Sequence, residues 1–117
     1  MVDQMPVIVL TTIGSVHDAG KIAHELVDQR LAACVNIVDQ VRSLFRWEGT
    51  VSEEGEKLLV IKTLPERLDA LRTRLFEIHP YEVPEFLVIG AEGVSDAYGR
   101  WLRESCRTDR ARGDDVG

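Results

Sequence analysis

AACVNIVDQVRSLFR, residues 32–46, decides the fold. Its Val, Ile, Leu and Phe favour an extended chain, and Asp39-Gln40 interrupts the apolar run midway, so the stretch reads as one long strand with a bulge or bend. Downstream, residues 49–56 (GTVSEEGE) carry two glycines and an acidic cluster, which predicts a solvated hairpin tip, and residues 57–63 (KLLVIKT) resume as a strand pairing back on the first. Upstream, residues 7–12 (VIVLTT) form a β-branched run without clear alternation, as in a strand covered on both faces.

Helices fill the intervals. Ser15 is placed to N-cap, with Asp18 three residues on, and Ile22, Ala23, Leu26 and Val27 recur at helical spacing towards Arg30. Pro65 opens a second helix on Leu68, Leu71, Leu75 and Ile78, which must end before Pro80 because proline disfavours helical geometry at His79. Residues 86–91 (FLVIGA) make a fourth strand, and Val94, Tyr98, Trp101 and Leu102 mark a third helix with Ser95 near its start. The order βαββαβ plus a terminal helix is the α+β ferredoxin-like pattern, a four-stranded antiparallel sheet with helices on one face. One domain is expected over residues 1–106, with a charged, mobile tail over 107–117 (RTDRARGDDVG). The other sheet face, rich in Val, Ile, Leu and Phe, must be covered by the third helix or by another subunit.

Composition narrows the function classes. With 14 basic and 20 acidic residues the net charge is -6, the wrong sign for a nucleic-acid binder and a suitable one for cations. No apolar run approaches a membrane span, and the start MVDQMPVIVLTT has no basic n-region, so a cytoplasmic location is expected. Cys34 and Cys106, 72 positions apart, read as reduced thiols rather than a disulfide or zinc site. Phosphate-loop, dinucleotide, nucleophile-elbow and zinc-protease signatures are all absent, which argues against an enzyme.

HPYEVPE, residues 79–85, is the densest chemical stretch. His79 suits a base or a metal ligand, but equally a histidine at a helix end. Pro80 and Pro84 stiffen the segment, and Tyr81 is an anchor for a core or subunit contact. In an extended chain Glu82 and Glu85 face opposite ways, which argues against a catalytic dyad. His17 and His24 lie two helical turns apart, too far to share an ion. Cys34, in an apolar strand, reads as a small buried thiol unless a second soft ligand joins it. Phe45, Trp47 and the corner at Glu48 offer aromatic area for an interface or a pocket.

LAACVNIV (31–38), SLFRWEG (43–49), LLVIKT (58–63) and HPYEVPE (79–85), in this order, resemble the CutA divalent-cation tolerance family. The resemblance implies a ferredoxin-like subunit in a PII-like homotrimer, copper or divalent-cation binding through cysteine and histidine, and no established reaction. By position it makes Cys34, His79 and Glu85 the metal candidates, with Glu82 beside them. It puts Phe45, Trp47, Glu48, Tyr81, Pro84 and Trp101 at an interface or cleft. Some relatives carry a cysteine where Thr11 or Thr12 stands, and often tyrosine where Phe45 and Arg46 stand. The alternative expectation is a regulatory trimer that binds a small anion or metabolite between subunits near Trp47 and Tyr81.

Overall fold

The long strand is real, and its hairpin partner is longer than its sequence signal. In the computed structural model, which describes residues 4–108, β2 runs Cys34–Trp47 and turns directly into β3, Thr50–Thr63. Trp47 pairs with Thr50, so the turn is only Glu48-Gly49, with φ of 50° and 85°. Positive φ at both central residues fits a two-residue hairpin loop that follows the strand twist. The acidic stretch expected as a solvated tip is therefore strand. Glu53 and Glu54 sit opposite Leu44 and Ser43, held by the backbone ladder with their side chains exposed, so burial leaves no trace there in the sequence.

β1 (Val7–Gly14) pairs antiparallel with residues 56–63 of β3, and β4 (Leu87–Gly90) pairs antiparallel with residues 7–10 of β1. The order β2-β3-β1-β4 confirms the ferredoxin-like α+β fold. Among the described residues the outer half of the β2–β3 hairpin has no third strand. It projects as a two-stranded ribbon, and the molecule measures 55 × 28 × 22 Å.

α1 (Ala19–Asp28) and α2 (Leu68–Ile78) cover one face of the sheet. Asp18, rather than Ser15, caps α1, its carboxylate accepting from the Lys21 amide at 3.0 Å. Pro65–Arg67 form a single 3₁₀ turn ahead of α2. Leu26, Leu71 and Leu75 from the helices meet Val9, Ile13, Leu59 and Ile61 from the strands in one fully buried cluster. Each such side chain contributes roughly 2 kcal/mol by leaving water.

α3 (Asp96–Ser105) does not cover the opposite face. Its Leu102 and the following Cys106 pack with Ala33 and Leu64 in a separate cluster at the end of β3, where Cys106 Sγ lies 3.6 Å from Thr63 Oγ1. By alternation Ile8, Leu10, Val60, Leu87 and Ile89 share the open face, and Leu87 and Ile89 are 57% and 49% exposed. Of the two covers expected for this face, the helix is excluded. Residues 1–3 and all of the expected tail beyond Thr108 lie outside the described residues.

Candidate functional site

β4 is short and flanks β1 only as far as Leu10. Beyond it, the edge of β1 is met by the loop carrying HPYEVPE. His79 caps α2 in an extended conformation, as Pro80 requires, and its amide donates to Leu75 O at 2.8 Å. Its ring takes over the missing ladder contact, with Nε2 2.8 Å from Thr12 O. The Tyr81 amide donates to Nδ1 at 3.1 Å. A carbonyl can only accept and an amide N–H can only donate, so the ring is the neutral Nε2–H tautomer. Burial keeps the His79 pKa below its usual value, partly offset by the Thr12 bond.

Tyr81 stacks edgewise on His79 at 4.8 Å and donates its hydroxyl to Glu56 Oε2 at 2.5 Å. Burial and then the Glu56 contact push the phenol pKa up, so it remains a donor. Glu56 is 5% exposed. Glu85, half-buried, has its pKa raised by burial and then by the Glu56 charge.

Across from this loop stands the hairpin arm, and the bulge aims it. Val38 pairs with Leu58 but Val41 pairs with Glu56, so β2 holds one extra residue at Asp39-Gln40, with Gln40 at φ 62°. One extra residue inverts the alternation beyond it. Phe45 and Trp47, opposite Ser52 and Thr50, therefore share the face of Glu54, Glu56 and Thr12. Without the bulge they would point to the other side. The bulge was legible from sequence, but its consequence for Phe45 and Trp47 was not.

Loop and arm enclose a cleft of about 980 Å³. Glu54, Glu56, Glu82 and Glu85 line it with Phe45, Trp47, Tyr81 and Pro84, and among the described residues no lysine or arginine does. Glu82 and Glu85 reach the same cleft because residues 79–86 are bent and belong to no strand. The opposite-face expectation assumed an extended segment. Glu56 was missed because it read as part of a solvated tip. Its only signal was strand parity with Thr12, which requires the register.

Other expected residues lie elsewhere. Cys34 begins β2 opposite Lys62, four ladder positions from Leu58, the partner of Thr12, and so roughly 13 Å along the sheet from the His79 contact. It is half-buried, with Sγ 3.9 Å from Asn36 Oδ1. Glu48 forms the exposed turn, and Trp101 stacks with Tyr98 at 5.3 Å on the outside of α3. Among the described residues, no three His, Cys, Asp or Glu side chains converge as a metal cage. Both ring nitrogens of His79 are already occupied.

The fold and cleft define a small α+β chain with an acidic, aromatic-walled cleft and an uncovered apolar sheet face. The family described as CutA1 divalent ion tolerance protein matches residues 7–105, and the chain belongs to it. The divalent-cation tolerance protein CutA of Thermus thermophilus is 43% identical over 101 residues, covering 86% of this chain and 98% of that one. Its solved structure superposes with a TM-score of 0.84 at 42% identity, covering 88% and 100% of the two chains. The chloroplastic protein CutA of Arabidopsis thaliana is 39% identical over 101 residues, which are 86% of this chain but 56% of that longer relative. Among the described residues no helix is long and apolar enough to cross a membrane.

Proposed function

We propose that this chain serves tolerance to divalent cations as a cytoplasmic homotrimer that binds the ion directly and catalyses no reaction. The observation that carries this reading is the cleft, with four carboxylates and no basic side chain among the described residues on its walls. Glu82 and Glu85 are the donors, reinforced by the buried charge of Glu56 and positioned by the loop that His79 fastens to β1. Carboxylates accept many divalent ions, and affinity then follows the usual order with copper strongest. Because the described residues of one chain bring no three such donors together, the coordination shell would be completed across the subunit contact. The open apolar face supports that assembly. Cys34, outside the cleft, enters only as a separate soft contact for copper.

Native mass spectrometry of metal-stripped protein, titrated with Cu²⁺ and Zn²⁺, tests both parts. A trimer taking up a fixed number of ions, lost in Glu85→Gln and weakened in His79→Ala, supports the reading. Scattered uptake indifferent to both variants overturns it. A second reading, a PII-like regulatory trimer with a small molecule in the same cleft, is favoured by the cleft's volume, which exceeds the needs of an ion. The acidic walls argue against the anion expected from sequence.

A further inference from the structure

Arg30 follows α1 in a left-handed conformation, φ 60°, where a side chain is strained and glycine is the usual choice. Its guanidinium crosses to α3, where Nη1 donates to Ser105 O at 3.2 Å and to Glu104 O at 3.5 Å. These carbonyls close α3, and the last carbonyls of a helix lie outside its own ladder. The positive charge also sits at the negative pole of the helix. Arg67, at the start of α2, braces the turn by donating Nε to Arg30 O at 3.2 Å. Glycine at this position would relax the turn and lose the clamp.

The helix held in this way is weakly built. α3 has 10 residues, short for a helix that must stand by itself. The Ser95 side chain makes no capping hydrogen bond to its first turn, and Gly99 lies in its interior. Among the described residues, Gly99 and Leu102 are all that α3 buries. Leu102, with Cys106 just beyond, packs on Ala33 and Leu64, apart from the main core that α1 and α2 share. Arg103 adds a tie from Nη1 to Gln4 O at 3.2 Å, in the segment before β1. Elements with few buried apolar contacts open before the rest of a fold does.

We propose that α3 is a detachable strap, opening as a unit while the sheet, α1 and α2 stay folded, and that Arg30 is the latch that sets how often it opens. Opening uncovers Cys106, 2% exposed when the strap is closed, together with Ala33 and Leu64 beside the ends of β2 and β3. No residue of α3 lines the cleft among the described residues, so the strap stands apart from both readings of that site.

Cys34→Ser leaves Cys106 as the single thiol. Its labelling by iodoacetamide in excess chelator, followed beside amide hydrogen exchange of the full chain, tests the strap. Cys106 is expected to react without denaturant, at a rate that added urea changes little, because a local opening exposes little surface. The amides of α3 are expected to exchange at least about tenfold faster than those of Leu26 and Leu71. Arg30→Gly, which suits the positive φ, is expected to speed both α3 exchange and Cys106 labelling about tenfold, with no acceleration at Leu26 and Leu71. Arg30→Lys keeps the charge and the strain but not the planar fork, and is expected to fall between wild type and the glycine variant.

If α3 amides exchange in step with those of Leu26 and Leu71, or Cys106 labelling climbs with urea as steeply as global unfolding, the helix opens only with the whole chain and the strap is overturned. Labelling and α3 exchange that are indifferent to Arg30→Gly would overturn the latch.

Discussion

Thr11 is fully buried on the helix-facing side of β1, and its hydroxyl is the one buried side-chain polar atom among the described residues without a partner. Leaving such a group unpaired costs about 1–3 kcal/mol, whereas valine keeps the shape and removes the need. Thr11→Val is therefore expected to raise stability by about 1 kcal/mol in chemical denaturation. His79 gives the opposite case, a buried polar ring with both nitrogens satisfied. Its folded pKa lies below the usual 6.5, so the unfolded chain takes up the proton first. Its contribution is fully present above about pH 6.5 and is lost as pH falls from there towards the depressed folded value. Glu85, with a raised pKa, contributes in the opposite sense, its share fading as pH rises above 4.5. Subtracting His79→Gln from wild type isolates the histidine. In chelator, the melting temperature of wild type is expected to drop more steeply below pH 6.5 than that of the variant, and parallel slopes would contradict the buried neutral ring. From sequence, the prolines around His79 announced a stiff corner. Which groups its two nitrogens touch depended on β4 ending early, and short edge strands leave little pattern.

Among the elements, the β2–β3 hairpin is where pattern and structure part most instructively. The bulge was readable because two polar residues break an apolar run. The tip was misplaced because Glu53, Glu54 and Glu56 resemble a loop in composition, although the backbone ladder continues through them to Thr50. Glu48-Gly49 bears the whole reversal, and Glu48 adopts φ 50° at a position where asparagine or glycine is better suited. Glu48→Asn would give the Asn-Gly pair that two-residue hairpins prefer, with an expected gain of about 0.5 kcal/mol. Slower amide hydrogen exchange along Arg46–Val51 would register the gain at the arm itself, while exchange in the helices should not change. Helix α1 shows a smaller displacement of the same kind. Ser15 and Asp18 both suit a cap, and Asp18 takes the role because residues 14–17 are used by a turn in which the His17 amide donates to Gly14 O.

For the whole molecule, the governing fact is that helices line one side of the sheet and little lines the other. The bare face was foreseeable from the order of elements alone, since βαββαβ places both crossover helices on one side. That α3 would leave it open was not, because the position of a terminal helix is set by the Leu102, Cys106, Ala33 and Leu64 cluster rather than by periodicity. The projecting arm poses the same demand, since an isolated two-stranded ribbon is marginal in water. Leu44, Trp47 and Val51 on that arm are all at least half exposed in the single chain. A proposed homotrimer answers both demands at once by laying arms and open faces against one another. Ile89 offers a clean test, being on the open face, on the edge strand and outside the cleft. Ile89→Glu removes apolar contact and adds charge where copies would meet, but takes nothing from the buried core. Sedimentation velocity is expected to show a single trimeric species for wild type and a smaller species for the variant at equal concentration, with far-ultraviolet dichroism retained. If both sediment alike as trimers, the open face is not the contact. If wild type itself sediments as a monomer, the apolar face needs a different partner and the ion site completed between subunits loses its basis.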